Sequence, residues 1–490
     1  MRTKVIQSPI VTIILTILMA VTIGAVFLNF LTTTMEKYSF GVVFGILLAI
    51  TWVLGSGKYW WLAFPFMAFW GGVFWIGFKI YPDEIGVLVA LAALILALIR
   101  YRHHEIIQDR PPISWAFLLL ISYFILHMSI SLYIAKLDLL SGGGSIVRVY
   151  ATGLAYLLFS WLYYKFGSSK YIKAAIIIIF AVITIRIIIS LFYFYQPALF
   201  NLPEADLIWL YPSADLRFSA LYQMIFSIML LYLLKNPLMK TIIVIFIILM
   251  FVLVLLGEGR VSVTMAVFAL ILWLLLAKKI RLLIYLLPVL FVSIIIVLSE
   301  MHLLSSLPLE MQRAISFIPG LESQLIYNTE ASNYWHFDLF RLGFERWASD
   351  FFSLLFGNSV DPVGVYQFSK LGYSSQLEMA AGTARYECTL WTVLATLGIV
   401  GTFLYIWIFI FLFREIIPIV WKDGIISFDH GVYAVAIICL LLMILFSWIR
   451  GGFPTIELML GVMAKALYED NKKNRFGHAG NRVLSRIKIT

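Results

Sequence analysis

"KTIIVIFIILMFVLVLLGEGRVSVTMAVFALILWLLLAKK", residues 240–279, holds two apolar runs joined by a bend, with Glu258 and Arg260 as the only charges between Lys240 and Lys278. Each run approaches the roughly 20 apolar residues that an α-helix needs to cross a bilayer. Neither run alternates polar with apolar residues, as a half-buried strand would. The stretch therefore predicts two membrane-crossing helices that meet at a charged turn.

The rest of the chain repeats this pattern. Of 490 residues, 62% are hydrophobic and 13% are charged, with a mean hydropathy of +0.97. A soluble domain carries roughly 25% charge. The expected fold is an all-α polytopic membrane bundle with about 14 spans. They fall near residues 9–31, 38–54, 59–80, 85–100, 113–134, 148–166, 172–195, 217–235, 240–257, 261–277, 282–298, 388–413, 429–449 and 454–469. The last run is short enough for a re-entrant hairpin to be an alternative. Residues 1–31 lack a signal-peptide cleavage pattern and read as the first span.

Residues 1–298 thus hold spans one to eleven, 299–387 a large outer loop, 388–469 spans twelve to fourteen, and 470–490 a basic tail. With the N-terminus inside, cytoplasmic segments take 22 of the 36 basic residues, six of them in the tail from Lys472 onward. Short outer loops and helix ends keep Lys37, Lys79, Lys136, Arg148, Arg217, Arg260 and Arg450. The positive-inside rule then puts both termini in the cytoplasm. The net charge of +10 is concentrated in those inner loops and the tail. Anionic lipid headgroups account for it, and no nucleic-acid partner is needed. Cys388 and Cys439 sit in or beside apolar runs and imply neither a disulfide framework nor a zinc site.

Within the large loop, "SNYWHFDLFRLGFERWASDFFSLLFGN" (332–358) spaces its apolar residues by three and four. Ser332 or Asn333 is a candidate N-cap, and Gly357 ends the run. This predicts an amphipathic helix that either seals the outer face or touches substrate. "GSGK" at 55–58 lacks the other elements of a phosphate-binding loop and reads as a turn. His103 and His104 have no third ligand nearby in sequence, and His127 reads as a hydrogen-bonded core residue.

Charges in or beside spans cost a few kcal/mol and invite explanation. Arg186 lies in the outer half of its span, Arg217 begins the next, Glu258 and Arg260 form an outer bend, and Arg450 ends a span at the outer face. Glu457 follows in the outer half of the last run, and Arg385 and Glu387 lead into the twelfth span. Each arginine taken singly could snorkel to headgroups or pair with a carboxylate. Four from distant parts of the chain at one membrane level suit a lipid-linked phosphate or pyrophosphate, because guanidinium offers paired donors and a permanent charge.

Three stretches carry a family resemblance. "DLRFSALYQ" resembles the Arg-led motif before an apolar helix in the Wzy-type polysaccharide polymerase and O-antigen ligase superfamily of integral membrane glycosyltransferases, with Arg217 matching. "LLGEGRVSVTMAVFALI" resembles that family's glycine-and-serine bend, with Arg260 on its arginine. "RYECTLWTVLATLGIVGTFLY" resembles the segment after its large outer loop, where a polar start precedes a Gly-x-x-Gly helix. Departures are clear: Ala220 replaces a glycine, a Pro-Asn pair is missing, and Glu387 falls where the ligases have histidine. The likeness covers roughly residues 200–415.

The resemblance implies a GT-C-like bundle that moves a glycan from undecaprenyl pyrophosphate to a sugar hydroxyl on another lipid-linked repeat unit. It implies inversion, no metal and no other cofactor. Arg217 and Arg260 would stabilise the departing pyrophosphate, with Arg186 and Arg450 as further binding residues. Glu387 is the candidate base, or else orients Arg385 or another arginine. Arg341, Arg346 and Arg385 are candidate loop contacts. Membrane lipids are partners, and a chain-length regulator fits the same scheme. A ligase acting on a lipid core or a protein shares the donor chemistry and differs only in acceptor. A flippase of lipid-linked sugars is the rival of another class, but transporters commonly show internal repeats and midplane helix breaks, and no repeat is visible here.

Overall fold

The structure is a computed structural model that describes residues 110, 115–135, 144–195, 212–256, 260–282, 325–358, 388–447 and 456–487, with isolated positions at 74–75, 79–80, 92, 95, 99, 284–285 and 312. Its described elements are helices, apart from a two-residue antiparallel ladder that pairs Phe74 with Ile80 and Trp75 with Lys79. That ladder lies at the end of the run expected as a helix over 59–80. Gly71, Gly72 and Gly77 surround it in sequence, and glycine loses the most entropy when held in a helix.

In chain order the helices are α1 (Trp115–Ala135), α2 (Gly144–Phe166), α3 (Ser169–Tyr195), α4 (Pro212–Leu233), α5 (Pro237–Leu256) and α6 (Arg260–Leu276). There follow α7 (Leu325–Trp347), α8 (Phe351–Phe356), α9 (Thr389–Phe413), α10 (Ile416–Asp423), α11 (Phe428–Phe446) and α12 (Ile456–Ile487). Helices α5, α9 and α11 are each long and apolar enough to cross a membrane; shorter apolar stretches occupy Trp115–Ile130, Phe218–Leu231 and Arg260–Leu276. This is an all-helical architecture of membrane-protein character.

The chain divides into two compact units, 1–109 with 165–223 and 110–164 with 224–490. In the first unit, α3 and the first half of α4 are tied by a hydrogen bond from Gln223 Nε2 to Thr184 Oγ1 at 2.6 Å. Gln223 is fully buried, and a buried amide needs such a partner.

The second unit is organised around α11. Nearly every residue of this helix is buried, including both apolar flanks and Gly431, which marks a helix at the centre of a bundle rather than at its edge. Ser427 caps it by accepting a hydrogen bond from His430 N–H. The most extensive pairing is α11 with α12, followed by α8 with α9 and α1 with α9. Small residues let these helices approach. A Cβ on Gly461 would come within 2.8 Å of the Phe413 ring, and one on Gly431 within 2.7 Å of the Met229 side chain.

Three features differ from the expected layout. The loop segment forms two helices instead of one, and α7 begins at Leu325, ahead of Ser332 and Asn333. The link between spans at 414–428 contains α10, an eight-residue amphipathic helix whose Ile416 and Val420 are buried. The final apolar run and nearly all of the basic tail form a single helix, α12.

Candidate functional site

Arg260 is the first residue of α6, and its carbonyl accepts a hydrogen bond from Thr264 Oγ1 at 3.0 Å. The guanidinium is partly exposed at the helix start. Within the first turn of α6 the buried face begins with Ser262 and Val263. Phe268 meets Phe446 of α11 edge to face, with centroids 5.6 Å apart. At the other end of α6, the Leu276 carbonyl faces Gly424, just before α11 begins. The two helices therefore run antiparallel, and Arg260 lies about 12 Å along α6 beyond the Phe268–Phe446 contact, on the side toward which α11 ends.

The start of α9 is fastened to that same end. Ser447, which follows α11, accepts hydrogen bonds at its carbonyl from Leu390 N–H (2.9 Å) and Cys388 Sγ (3.1 Å). Cys388 is the N-cap of α9 and supplies no side-chain cap. In sequence Cys388 follows Glu387, and Ser447 precedes Arg450 by three residues. Glu387, Arg385, Arg450 and Glu258 themselves lie outside the described residues. The structure fastens the first turn of α9 to the last turn of α11, and α6 runs toward that same end of the unit with Arg260 as its first residue. Two helix N-termini, α6 and α9, thus open at one end of the unit. Their helix dipoles favour an anion there, and Arg260 adds a full positive charge.

The loop helices pack on the same part of α9. Trp391 sits against Phe340 (4.8 Å between centroids), Phe344 (5.8 Å) and Trp347 (5.8 Å) of α7. Aromatic edge-to-face packing of this kind contributes roughly 0.5–1.5 kcal/mol per pair beyond area burial. Helix α8 starts at Asp350, whose carboxylate accepts from Ser353 N–H (2.9 Å) and Ser353 Oγ (2.7 Å). These bonds hold the Asp350 carboxyl below its ordinary value of 3.8. The helix ends at Gly357, which has φ +78°.

That end is wedged into a break in α9. Gly398 interrupts α9 with φ +67°, and a Cβ on it would collide with the Leu355 carbonyl and the Gly357 nitrogen. A Cβ on Gly357 would collide in turn with the Thr396 carbonyl. Asn358 N–H donates to Ala395 O at 2.7 Å, and the Tyr123 hydroxyl of α1 lies 2.9 Å from Phe356 O and 3.0 Å from Leu397 O. Asn358 also donates through its side chain to the Arg346 carbonyl. The glycine pair lets two backbones touch, and the polar groups freed by the kink find partners.

Of the loop arginines, Arg341 is exposed and reaches Asp338 (3.8 Å) and Glu345 (3.7 Å) on its own helix. Arg346 is half-buried near the end of α7. In the first unit, Arg186 lies on α3 two residues past Thr184, and Arg217 lies on α4 six residues before Gln223. Both occupy the linker side of the Thr184–Gln223 bond, about 3 Å and 9 Å from it along their helices. Their side chains are outside the described parts.

Residues that the apolar pattern did not single out are Trp391, Tyr123, Asn358 and the Gly357–Gly398 contact. Gly357 reads from sequence only as a helix stop and Gly398 only as part of a Gly-x-x-Gly pattern. The chain matches no known protein-family model and no curated protein.

Proposed function

We propose that the protein is a membrane-embedded glycosyltransferase of the polysaccharide-polymerase type, with about 14 spans, cytoplasmic termini and its active site at the outer face. It transfers a glycan from undecaprenyl pyrophosphate to a hydroxyl of another lipid-linked repeat unit. The observation that supports this reading is that α6, which begins at Arg260, runs toward the end of the unit where α11 is tied to the start of α9, with two loop helices packed on α9.

The chemistry has two demands. As the acceptor oxygen bonds to the anomeric carbon, the bond from that carbon to the pyrophosphate oxygen breaks, and negative charge collects on the leaving group. Arg260 and Arg217, assisted by Arg186 and Arg450, offset that charge by preorganised hydrogen bonding. The acceptor proton passes to Glu387, which is a competent base at neutral pH once partial burial raises its pKa. Loop helices α7 and α8 hold the beginning of α9, and with it the residue that follows Glu387.

Replacing Arg260 separates this reading from a snorkelling role. Arg260→Ala abolishes polymer at normal protein level, and Arg260→Lys restores part of it, because an ammonium keeps the charge but loses the paired donors. Polymer of wild-type length in Arg260→Ala cells would end the proposal.

A further inference from the structure

The opposite end of the second unit carries a different set of charges. Helix α6 ends in a Schellman motif: Lys279 N–H donates to Leu274 O at 2.8 Å and Lys278 N–H to Leu275 O at 3.0 Å. The residue in the left-handed conformation is Lys278, with φ +58°, where glycine is the usual occupant. A side chain in that conformation costs about 1–2 kcal/mol. Lys278 Nζ donates to the Lys422 carbonyl in the last turn of α10, so the strained residue ties the α6 turn to α10.

Beyond Lys278 the chain opens a cleft of about 630 Å³ lined by Lys278, Lys279, Ile280, Arg281, Leu282 and Tyr285. Lys279 and Arg281 are exposed, and no ion pair involves either among the described residues. Helix α10 adds exposed Lys422 and an apolar edge of Trp421 (68% exposed) and Ile417 (38%). Four cations thus face one carboxylate, Asp423, in the combined turn and helix. The neighbours are as telling as the charges. Tyr285, Ile280 and Leu282 are exposed beside the cations. Helix α10 connects α9 to α11, two helices able to cross a membrane, so it lies where those helices leave the bilayer.

Cations with no ion pair among the described residues, flanked by an exposed tryptophan, a tyrosine and aliphatic side chains at a membrane surface, match a phosphate above acyl chains. We propose that the α6 turn, Lys278–Leu282, together with the exposed edge of α10, binds the phosphate headgroup of an anionic bilayer phospholipid. The occupant is a lipid rather than a soluble anion because the apolar edge and the aromatic side chains would otherwise face water. This site lies at the far end of α6 from Arg260 and does not depend on the reaction proposed above.

The test titrates the full chain, purified in detergent and stripped of lipid, with phosphatidylglycerol and with phosphatidylcholine, counting bound lipid by native mass spectrometry. The wild type retains phosphatidylglycerol in preference to phosphatidylcholine. The Lys279→Gln/Arg281→Gln double variant loses that affinity by about fivefold per charge, roughly 25-fold in all. Lys235→Gln/Lys240→Gln removes two exposed cations, one just before α5 and one in its first turn, and leaves the affinity within about twofold. An equal loss in both double variants would mean diffuse attraction and overturn the site. Equal retention of the two lipids overturns it as well. So does complete displacement of phosphatidylglycerol by millimolar inorganic phosphate, which would identify a soluble-anion site.

Discussion

Gly398 and Gly357 are each other's reason for being glycine. Both have positive φ, and each lacks room for a Cβ because the other's backbone segment is there. Gly398→Ala must therefore strain its own backbone and push α8 out of the α9 break. The two costs together come to about 2–6 kcal/mol. Thermal unfolding in detergent should show a markedly lower midpoint for Gly398→Ala, while Ala at exposed Gly-free positions of α5 changes little. At the candidate site the corresponding question is chemical. Glu387→Gln keeps the shape and removes the proposed base, so under that proposal the purified variant binds the lipid-linked repeat yet forms no product. Robust turnover by that variant would reassign Glu387 to an orienting role.

At the scale of elements, the contact that matters is α7 on the first half of α9. Trp391 is 5% exposed and is enclosed by Phe340, Phe344 and Trp347. Trp391→Ala should cost about 3–5 kcal/mol locally. Protease should then cut between α7 and α8 faster than in the wild type, whereas unchanged cleavage would show the loop helices to be held elsewhere. The sequence makes α5, α6, α9 and α11 legible because long apolar runs leave helix as the only spanning structure whose backbone groups are satisfied internally. Arg260 is visible because a charge between two such runs has few innocuous explanations. The break between α7 and α8 is not visible, since Asp350 and Ser353 sit in a stretch whose apolar spacing continues through it. Tyr123 is equally hidden: its partners, Phe356 and Leu397, are 233 and 274 residues away. Nor does any spacing rule announce α10, which is shorter than a typical helix.

At the scale of the whole molecule, the second unit is closed at its α10 end by a charge network on α12. Lys465, 2% exposed, donates to Glu415 (3.1 Å) and lies 2.9 Å from Glu469. Its ammonium also sits over the rings of Phe411 and Tyr468. Nearby, Arg110 grips Asp470 with two bonds of 3.0 Å and donates to the Tyr164 carbonyl. Asn471 joins Asp429 and Tyr433 of α11, each at 3.0 Å. Breaking a buried pair from one side is costly, so Lys465→Ala should lose about 3–5 kcal/mol. Burial pushes the Glu415 carboxyl upward, but the hydrogen bond and charge of Lys465 outweigh it and hold the group below its ordinary value of 4.5. The unfolded chain then takes up a proton before the folded one does. Stability from this pair is complete above about pH 4.5 and is lost as pH falls through the lowered folded value. Melting temperature should drop with acidification below that point, and Glu415→Gln should flatten the drop.

These scales meet in one claim, that the end of the bundle bearing Arg260 transfers glycans. The direct measurement incubates the purified protein with a synthetic repeat unit linked to a lipid pyrophosphate and resolves the products by size. The predicted result is a ladder of lipid-linked oligomers, present with the wild type and absent with Arg260→Ala. Unaltered single repeat units with the wild type, accompanied by their movement across a liposome membrane, would contradict it and assign the protein to transport.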